Sequence, residues 1–108
     1  MEKTELLSGT LDLLILRVLY SQPLHGFGIG ERIHALSNEA LKIEEGSLYP
    51  ALYRIEAKGW IKAEWGHSER GRRAKIYSLT AKGLKRLGSE KLSWGRMSAA
   101  IGSVLKNA

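Results

Sequence analysis

Positively charged side chains are concentrated in one short stretch of this sequence. Between residues 70 and 86 there are seven Lys or Arg residues and no Asp or Glu. Four of them lie in or directly after a polar, glycine-containing loop at residues 66–73: Arg70, Arg72, Arg73 and Lys75. Guanidinium and ammonium groups bind phosphate oxygens through charge-assisted hydrogen bonds, so this stretch is predicted to hold a phosphate backbone. The alternative is a charged, solvated loop without a partner.

A second group of polar side chains lies between residues 46 and 57. On a helical wheel one face of this segment carries Gly46, Pro50, Tyr53, Arg54 and Ala57, and its flanks carry Ser47 and Tyr49. Small residues permit close approach, hydroxyl groups bind phosphates, and arginine binds a phosphate or a guanine edge. The face therefore suits the major groove of double-stranded DNA. Alternatively, Tyr49 and Tyr53 pack against neighbouring parts of the protein.

The elements that position these side chains follow from hydrophobic periodicity. Apolar and polar residues alternate over residues 60–65 and again over 74–79, which predicts two strands of a hairpin around the basic loop. The segment before it has a helical apolar face of Leu48, Ala51, Leu52 and Ile55. Pro50 is tolerated best in a first helical turn, so this helix is predicted to begin close to residue 46 or 47 and to end at residues 58–59.

Three further helices complete the predicted order of elements. The first has apolar residues from Leu11 to Leu19, is capped by Ser8 or Thr10, and stops before Pro23. The second runs over about residues 25–37, with Ile29, Ile33 and Leu36 facing inward. The last starts at the cap Thr80 and continues to about residue 105. The predicted fold is mainly α with a small β-hairpin: a winged helix-turn-helix at residues 1–79 and a C-terminal dimerisation helix at 80–108.

The C-terminal helix carries an apolar stripe that one small domain cannot bury. Leu84 and Leu87 are predicted to pack on the first domain. The stripe has coiled-coil spacing, interrupted by Glu90, and is predicted to form the seam of a homodimer; its members are Leu87, Trp94, Met97, Ile101 and Val104. Gly88, Gly95 and Gly102 recur every seven residues, which indicates either close approach of two helices or a kink.

Composition narrows the class of protein. Residues 1–64 sum to −2 and residues 65–108 to +8, an asymmetry that indicates an anionic partner, nucleic acid or membrane. There is no cysteine. Charged residues interrupt the N-terminal apolar run and no stretch is long enough to span a bilayer, so we expect a cytoplasmic protein without membrane contact.

Nothing in the sequence predicts catalysis or a cofactor. The three histidines share no metal-ligand spacing, and we expect no metal. The glycines of residues 26–30 follow no strand and lack the spacing of a dinucleotide fingerprint. No nucleophile–base pair is evident, so the chain is not expected to be an enzyme.

Three segments carry a resemblance to a known family. They are Pro23-Leu24-His25-Gly26-Phe27-Gly28-Ile29, then Glu45-Gly46-Ser47-Leu48-Tyr49-Pro50-Ala51-Leu52, then Gly71-Arg72-Arg73 followed by Lys75-Ile76-Tyr77-Ser78-Leu79-Thr80. Together they resemble the PadR family of bacterial transcriptional regulators. The match runs in order over roughly residues 6–105, and the single terminal helix is similar to the family's short subgroup. At the wing relatives often have Arg-Lys-Tyr-Tyr, whereas this chain has Ala74-Lys75-Ile76-Tyr77. One expected basic contact is therefore missing, and the pair Arg72-Arg73 is its predicted substitute.

The resemblance implies a homodimeric repressor that binds an inverted repeat. It also implies that Ser47, Tyr49 and Arg54 lie at the DNA with the wing arginines. In drug-sensing relatives a tryptophan similar to Trp94 lines a flat pocket between subunits, which implies a small aromatic or hydrophobic inducer; the alternative is that Trp94 is only a dimer-core side chain. Two other functions stay open, a winged-helix protein-interaction module and a sensor of hydrophobic or aromatic ligands.

Overall fold

A computed structural model describes residues 9–108 of the chain as four helices and three strands. In chain order they are α1 (Thr10–Ser21), β1 (Leu24–His25), α2 (Gly26–Leu36), α3 (Glu45–Ala57), β2 (Ile61–His67), β3 (Arg73–Leu79) and α4 (Ala81–Asn107). The predicted winged helix-turn-helix with a long terminal helix is confirmed, and β1 is an addition to it.

The core forms where α1, α2 and α3 meet the base of the hairpin. Ile15 and Leu16 of α1, Ile29 of α2 and Ile55 of α3 have no exposed surface. The predicted inward face of α3 is confirmed, since Leu48, Ala51, Leu52 and Ile55 are all buried. Leu36 was expected to face inward, but it is 61% exposed. The helical period places Leu36 on the same face as the buried residues Ile29 and Ile33. However, Leu36 is the last residue of α2 and the chain turns away there, so this end of the face is left uncovered.

The helix starts differ from the predictions by one or two residues. Gly9, with φ +85°, occupies the N-cap of α1, and Thr10 is the first helical residue, so the prediction of a Thr10 cap is wrong. Ser8 lies outside the described residues. In α3 the N-cap is Glu44, and its carbonyl accepts from the amides of Ser47 and Leu48. Pro50 therefore lies in the second turn. Because proline has no backbone N–H, it cannot donate to the Gly46 carbonyl. This missing donor is tolerated because Gly46 and Pro50 lie on the exposed side of the helix.

The three strands form one antiparallel sheet in the order β1-β3-β2. β2 and β3 pair from Ile61↔Leu79 at the base to His67↔Arg73 near the tip. β1 is only two residues long and pairs Leu24 with Tyr77, which is too short a segment for an alternation pattern to reveal. The hairpin projects beyond the core, because burial along β2 is lost after Ala63.

The start of α4 is fixed against the base of the hairpin. Thr80 is its N-cap as predicted: the Gly83 amide donates to Thr80 Oγ1 at 3.0 Å, and that hydroxyl donates to the Gly59 carbonyl at 2.6 Å. Leu87 is buried in the core, whereas Leu84 is 49% exposed, so the prediction that both leucines pack on the first domain is confirmed for Leu87 alone. Among the helices of residues 9–108, none has a stretch long and apolar enough to cross a membrane.

Candidate nucleic-acid interface

The exposed face of α3 carries the polar side chains that the helical wheel placed there. Ser47 and Pro50 are exposed, and Tyr53 is 78% exposed. Tyr53 therefore does not pack within the chain, which was the alternative for this residue. A rigid helix whose other face is the protein core presents these three side chains outward.

Tyr49 takes an intermediate position, because its ring packs on α2 while 45% of the residue stays exposed. A Cβ added to Gly26 would lie 2.8 Å from Tyr49 Cε1 and 2.8 Å from Tyr49 Oη. Only glycine at position 26 permits this approach. The contact fixes the N-terminal half of α3 against the first turn of α2, and it leaves one side of the phenol ring free.

Arg54 is paired within the chain rather than free. Its Nη2 donates to Asp12 Oδ1 of α1 in an ion pair, with 49% of the arginine side chain and 13% of the aspartate side chain exposed. The sequence predicts Arg54 only as a DNA contact and does not indicate its partner. The periodicity of α1 marks Asp12 as an interruption of an apolar face, but the register of α1 against α3 is needed to pair the two residues.

The tip of the hairpin is a tight turn that exposes two arginines. The Ser68 amide donates to the Arg72 carbonyl at 2.8 Å, and the Gly71 amide donates to the Ser68 carbonyl at 2.8 Å. Gly71 has φ +76°, a conformation that favours glycine. Arg70 and Arg72 lie in this turn and are exposed.

Arg73 and Lys75 lie on β3, on the same face of the hairpin as Trp65 of β2. The Arg73 guanidinium carbon is 4.4 Å from the centroid of the Trp65 ring, and Lys75 Nζ is 5.8 Å from it. In the sequence Trp65 is recognisable only as a strand residue. Its relation to the two cations depends on the pairing Trp65↔Lys75, which is fixed by the length of the tip.

A groove runs between the hairpin and the N-terminal parts of α2 and α3. Its lining includes exposed Phe27 and Tyr49 on the helical side and Trp65 on the hairpin. Five basic side chains and two acidic ones line it; the basic residues are Arg32, Arg70, Arg72, Arg73 and Lys75, and the acidic ones are Glu31 and Glu69. The predicted wing cations and Tyr49 therefore border one positively charged groove. The other predicted residues of α3 do not line it: Ser47, Pro50, Tyr53 and Arg54.

Tyr77 lies at the base of this groove, where β3 meets the helices. Burial raises the pKa of the Tyr77 phenol, and the negative charge of Glu56 and the neighbouring Tyr49 raise it further. The phenol is therefore neutral over the whole physiological pH range. Tyr77 therefore adds no negative charge to the groove.

The apolar stripe of α4 is only partly what the sequence predicts. Trp94, Met97, Ile101 and Val104 are 43%, 55%, 44% and 65% exposed, so a single chain leaves them uncovered. Leu87, in contrast, is 4% exposed and belongs to the core of its own chain, so it has almost no surface to offer a second subunit. Glu90, which interrupts the stripe, forms an ion pair with Arg86. Added Cβ atoms at Gly88, Gly95 and Gly102 would meet no atom within 4 Å.

Features that would indicate metal chemistry do not occur in residues 9–108. No group of three or more His, Asp or Glu side chains in this part of the chain could hold a metal ion. His25 has a local role instead, because its Nδ1 accepts from the Gly28 amide at 2.8 Å and caps α2.

Comparisons with known proteins agree with this geometry. A PadR-like transcriptional regulator of Bacillus cereus superposes with a TM-score of 0.80 at 28% identity, over 97% of this chain and 100% of that one. A PadR-like transcription factor of Bacteroides fragilis superposes with a TM-score of 0.71 at 30% identity, over 89% and 90%. An uncharacterised protein of Lysinibacillus sphaericus is 29% identical over 94% of this chain and 93% of its own length. The sequence profile of the PadR-like transcriptional regulator family matches residues 15–89. The chain thus belongs to the PadR-like family, whose members are DNA-binding transcriptional regulators and not enzymes.

Proposed function

We propose that this protein is a homodimeric repressor that binds an inverted repeat of double-stranded DNA. The observation that carries the proposal is the basic groove between the hairpin and the N-terminal part of α2, bordered by the wing cations and by Tyr49 of α3. Its positive charge suits the phosphate backbone of a duplex whose major groove holds α3. Charge alone gives affinity for any sequence, so the specificity is assigned to α3.

Each part of the surface then has a separate role. Ser47, Tyr53 and the free side of Tyr49 contact the major groove, and Pro50 permits close approach of α3 to it. The wing cations Arg70, Arg72, Arg73 and Lys75 contact phosphates. Phosphate contacts fix the position of the protein, whereas contacts with base edges select the sequence.

Dimerisation through α4 sets the spacing between the two winged helix-turn-helix domains. Trp94, Met97, Ile101 and Val104 form an uncovered apolar stripe, which a second copy of the helix would bury. A small aromatic or hydrophobic inducer at Trp94 is part of the same proposal, because the open face of this residue needs the wall of a second subunit to become a pocket. Release from DNA would follow if the inducer changed the spacing of the two winged helix-turn-helix domains.

Removing the two arginines at the end of the tip tests the wing. We expect Arg72→Ala with Arg73→Ala to weaken binding to duplexes of every sequence, because the pair contacts backbone. The plot of log K against log[salt] should become shallower by about 1.8, since each lost phosphate contact accounts for about 0.9. Fluorescence anisotropy with labelled duplex DNA over a salt series measures both quantities.

A matched control removes the same charge from a different place. Arg96→Ala with Lys106→Ala takes two positive charges from exposed positions of α4 that lie off the apolar stripe. This variant should keep the slope of the parent protein. An unchanged slope for the wing variant would refute the backbone contact. If both variants made the slope shallower by the same amount, the wing arginines would contribute only to the general positive field of the protein.

The ion pair of Arg54 makes Asp12 the residue that tests the role of this arginine. Asp12→Asn keeps the shape of the side chain but removes its charge, so we expect the free energy of unfolding to fall by about 1 kcal/mol. The freed guanidinium should raise the affinity for DNA and steepen the salt slope by about 0.9. Urea unfolding and anisotropy measure the two effects. A loss of stability without any change in DNA binding would assign Arg54 to holding α3 on α1.

A further inference from the structure

Trp65 lies where a tryptophan has no core to fill. Its strand leaves the core after Ala63, and 60% of its surface is exposed. A large aromatic side chain gains most of its stabilising energy from burial, and Trp65 forgoes it. The described contacts of its ring are with Arg73 and Lys75.

The register of the hairpin creates these contacts. Lys75 is directly opposite Trp65, and Arg73 is opposite His67, one step diagonal from Trp65 on the same face. Directly opposed and diagonal residues on one face of an antiparallel pair are within reach of aromatic and long side chains. The distances of 4.4 Å for Arg73 and 5.8 Å for Lys75 both fall within the range of about 6 Å over which a ring attracts a cation.

Trp60, at the other end of the same hairpin, shows what a structural version of this contact looks like. It also has two cations over its ring, Lys58 and Arg86, each 4.7 Å from the centroid. Trp60 is only 9% exposed and belongs to the core, so its cations cover a buried ring. Trp65 differs in being open, and its cations lie on the charged groove rather than over the core.

Stacking restrains a cation without neutralising it. A guanidinium lying against a ring uses its π face, and its N–H groups at the edge remain free to donate to a phosphate. Arginine and lysine otherwise lose much rotamer freedom when they bind, which lowers the affinity. A ring that already restricts them in the free protein removes part of this cost.

We propose that Trp65 is a positioning residue of the DNA-binding wing, which holds Arg73 and Lys75 in the orientation that meets the phosphate backbone. The inference rests on the proposed function of the wing and adds to it a residue that carries no charge and forms no hydrogen bond to DNA in this role. The ring acts through the two cations, so its removal should change DNA binding only when both cations are present.

A double-mutant cycle tests this dependence. The variants are Trp65→Leu, Arg73→Gln with Lys75→Gln, and all three substitutions together, with binding to a fluorescein-labelled duplex of mixed sequence measured over a salt series. Trp65→Leu alone should weaken binding about 5- to 20-fold, because the two cations would then lose their rotamer freedom only when they bind DNA. The salt slope should be unchanged, because both positive charges remain. On the Arg73→Gln, Lys75→Gln background it should change binding less than about two-fold. Trp65→Phe, which keeps a weaker aromatic face, should be intermediate.

A second measurement examines the stack without DNA. NMR relaxation of the Arg73 Nε–H group in the free protein should show a mobile guanidinium in Trp65→Leu and a restrained one in the parent protein, at equal thermal stability. Equal losses of affinity on both backgrounds would overturn the proposal, because the ring would then contact DNA itself. No loss on either background, or no change in Arg73 mobility, would overturn it as well. If the parent protein shows no salt-dependent DNA binding, the proposed function fails, whereas the relaxation result still decides whether the stack restrains Arg73.

Discussion

Trp94→Asp is expected to convert the proposed dimer into a monomer. The substitution places a carboxylate at the N-terminal end of an apolar stripe whose members are 43–65% exposed in the single chain. A two-fold axis along the stripe would bring two such carboxylates together and bury them without partners, which is strongly unfavourable. Sedimentation equilibrium measures the mass directly. Affinity for duplex DNA should fall about a hundred-fold or more, because the second winged helix-turn-helix domain no longer binds as part of the same molecule.

The same helix offers a matched control on its opposite side. Ala99 is exposed and lies about half a turn around α4 from the stripe. Ala99→Asp introduces the same charge at a larger cost in helix propensity, because alanine is a better helix former than tryptophan, and it should still leave the dimer intact. If Trp94→Asp stays dimeric, or if Ala99→Asp dissociates instead, the seam lies on another surface and the assignment of the stripe is wrong.

Gly83→Ala is expected to lower the free energy of unfolding by about 3 kcal/mol, or the melting temperature by roughly 10 to 20 °C. A Cβ at this position would overlap the Trp60 carbonyl oxygen and would lie 2.8 Å from Leu79 Cδ1. The obstacle is backbone, which cannot rotate aside. The Trp60 carbonyl also accepts from the Thr80 amide at 3.1 Å, so movement of α4 away from it would break the closure of the hairpin base.

Gly88 provides the comparison for this effect. It lies in the same helix, and an added Cβ would meet no atom of the chain within 4 Å. Gly88→Ala should therefore stabilise the protein by up to about 1 kcal/mol, the difference in helix propensity. Thermal unfolding at several protein concentrations separates chain stability from dimerisation. A Gly83→Ala protein as stable as the parent would show that α4 does not approach the hairpin base this closely.

Local pattern predicted most of the helices but not always their ends. The buried face of α3, the Thr80 cap and the two long strands follow from periodicity and capping chemistry that act within a few residues. The start of α3 was placed too late because Pro50 was assigned to the first turn. Leu36 and Leu84 were assigned to the core from their face alone, and a face is buried only as far as a neighbouring element extends.

Several contacts at the candidate interface could not have been predicted in this way. The pair Arg54–Asp12 joins residues 42 positions apart, and Tyr49 on Gly26 joins two helices. Each contact depends on how two elements are aligned with each other, and the hydrophobic period within one element gives no information on that alignment. To predict the stack of Arg73 and Lys75 on Trp65, the length of the hairpin tip must also be known.

The fold class, the two chemically distinct surfaces and the membership of the PadR-like family follow from residue types and their spacing along the chain. Which side chains are free for a partner depends instead on how the elements pack. Packing places Leu87 in the core, engages Arg54 with Asp12, and leaves Tyr53 and Trp65 open. The physical reason is that exposure and pairing are set by the neighbours that packing brings together, and packing joins residues far apart in the chain.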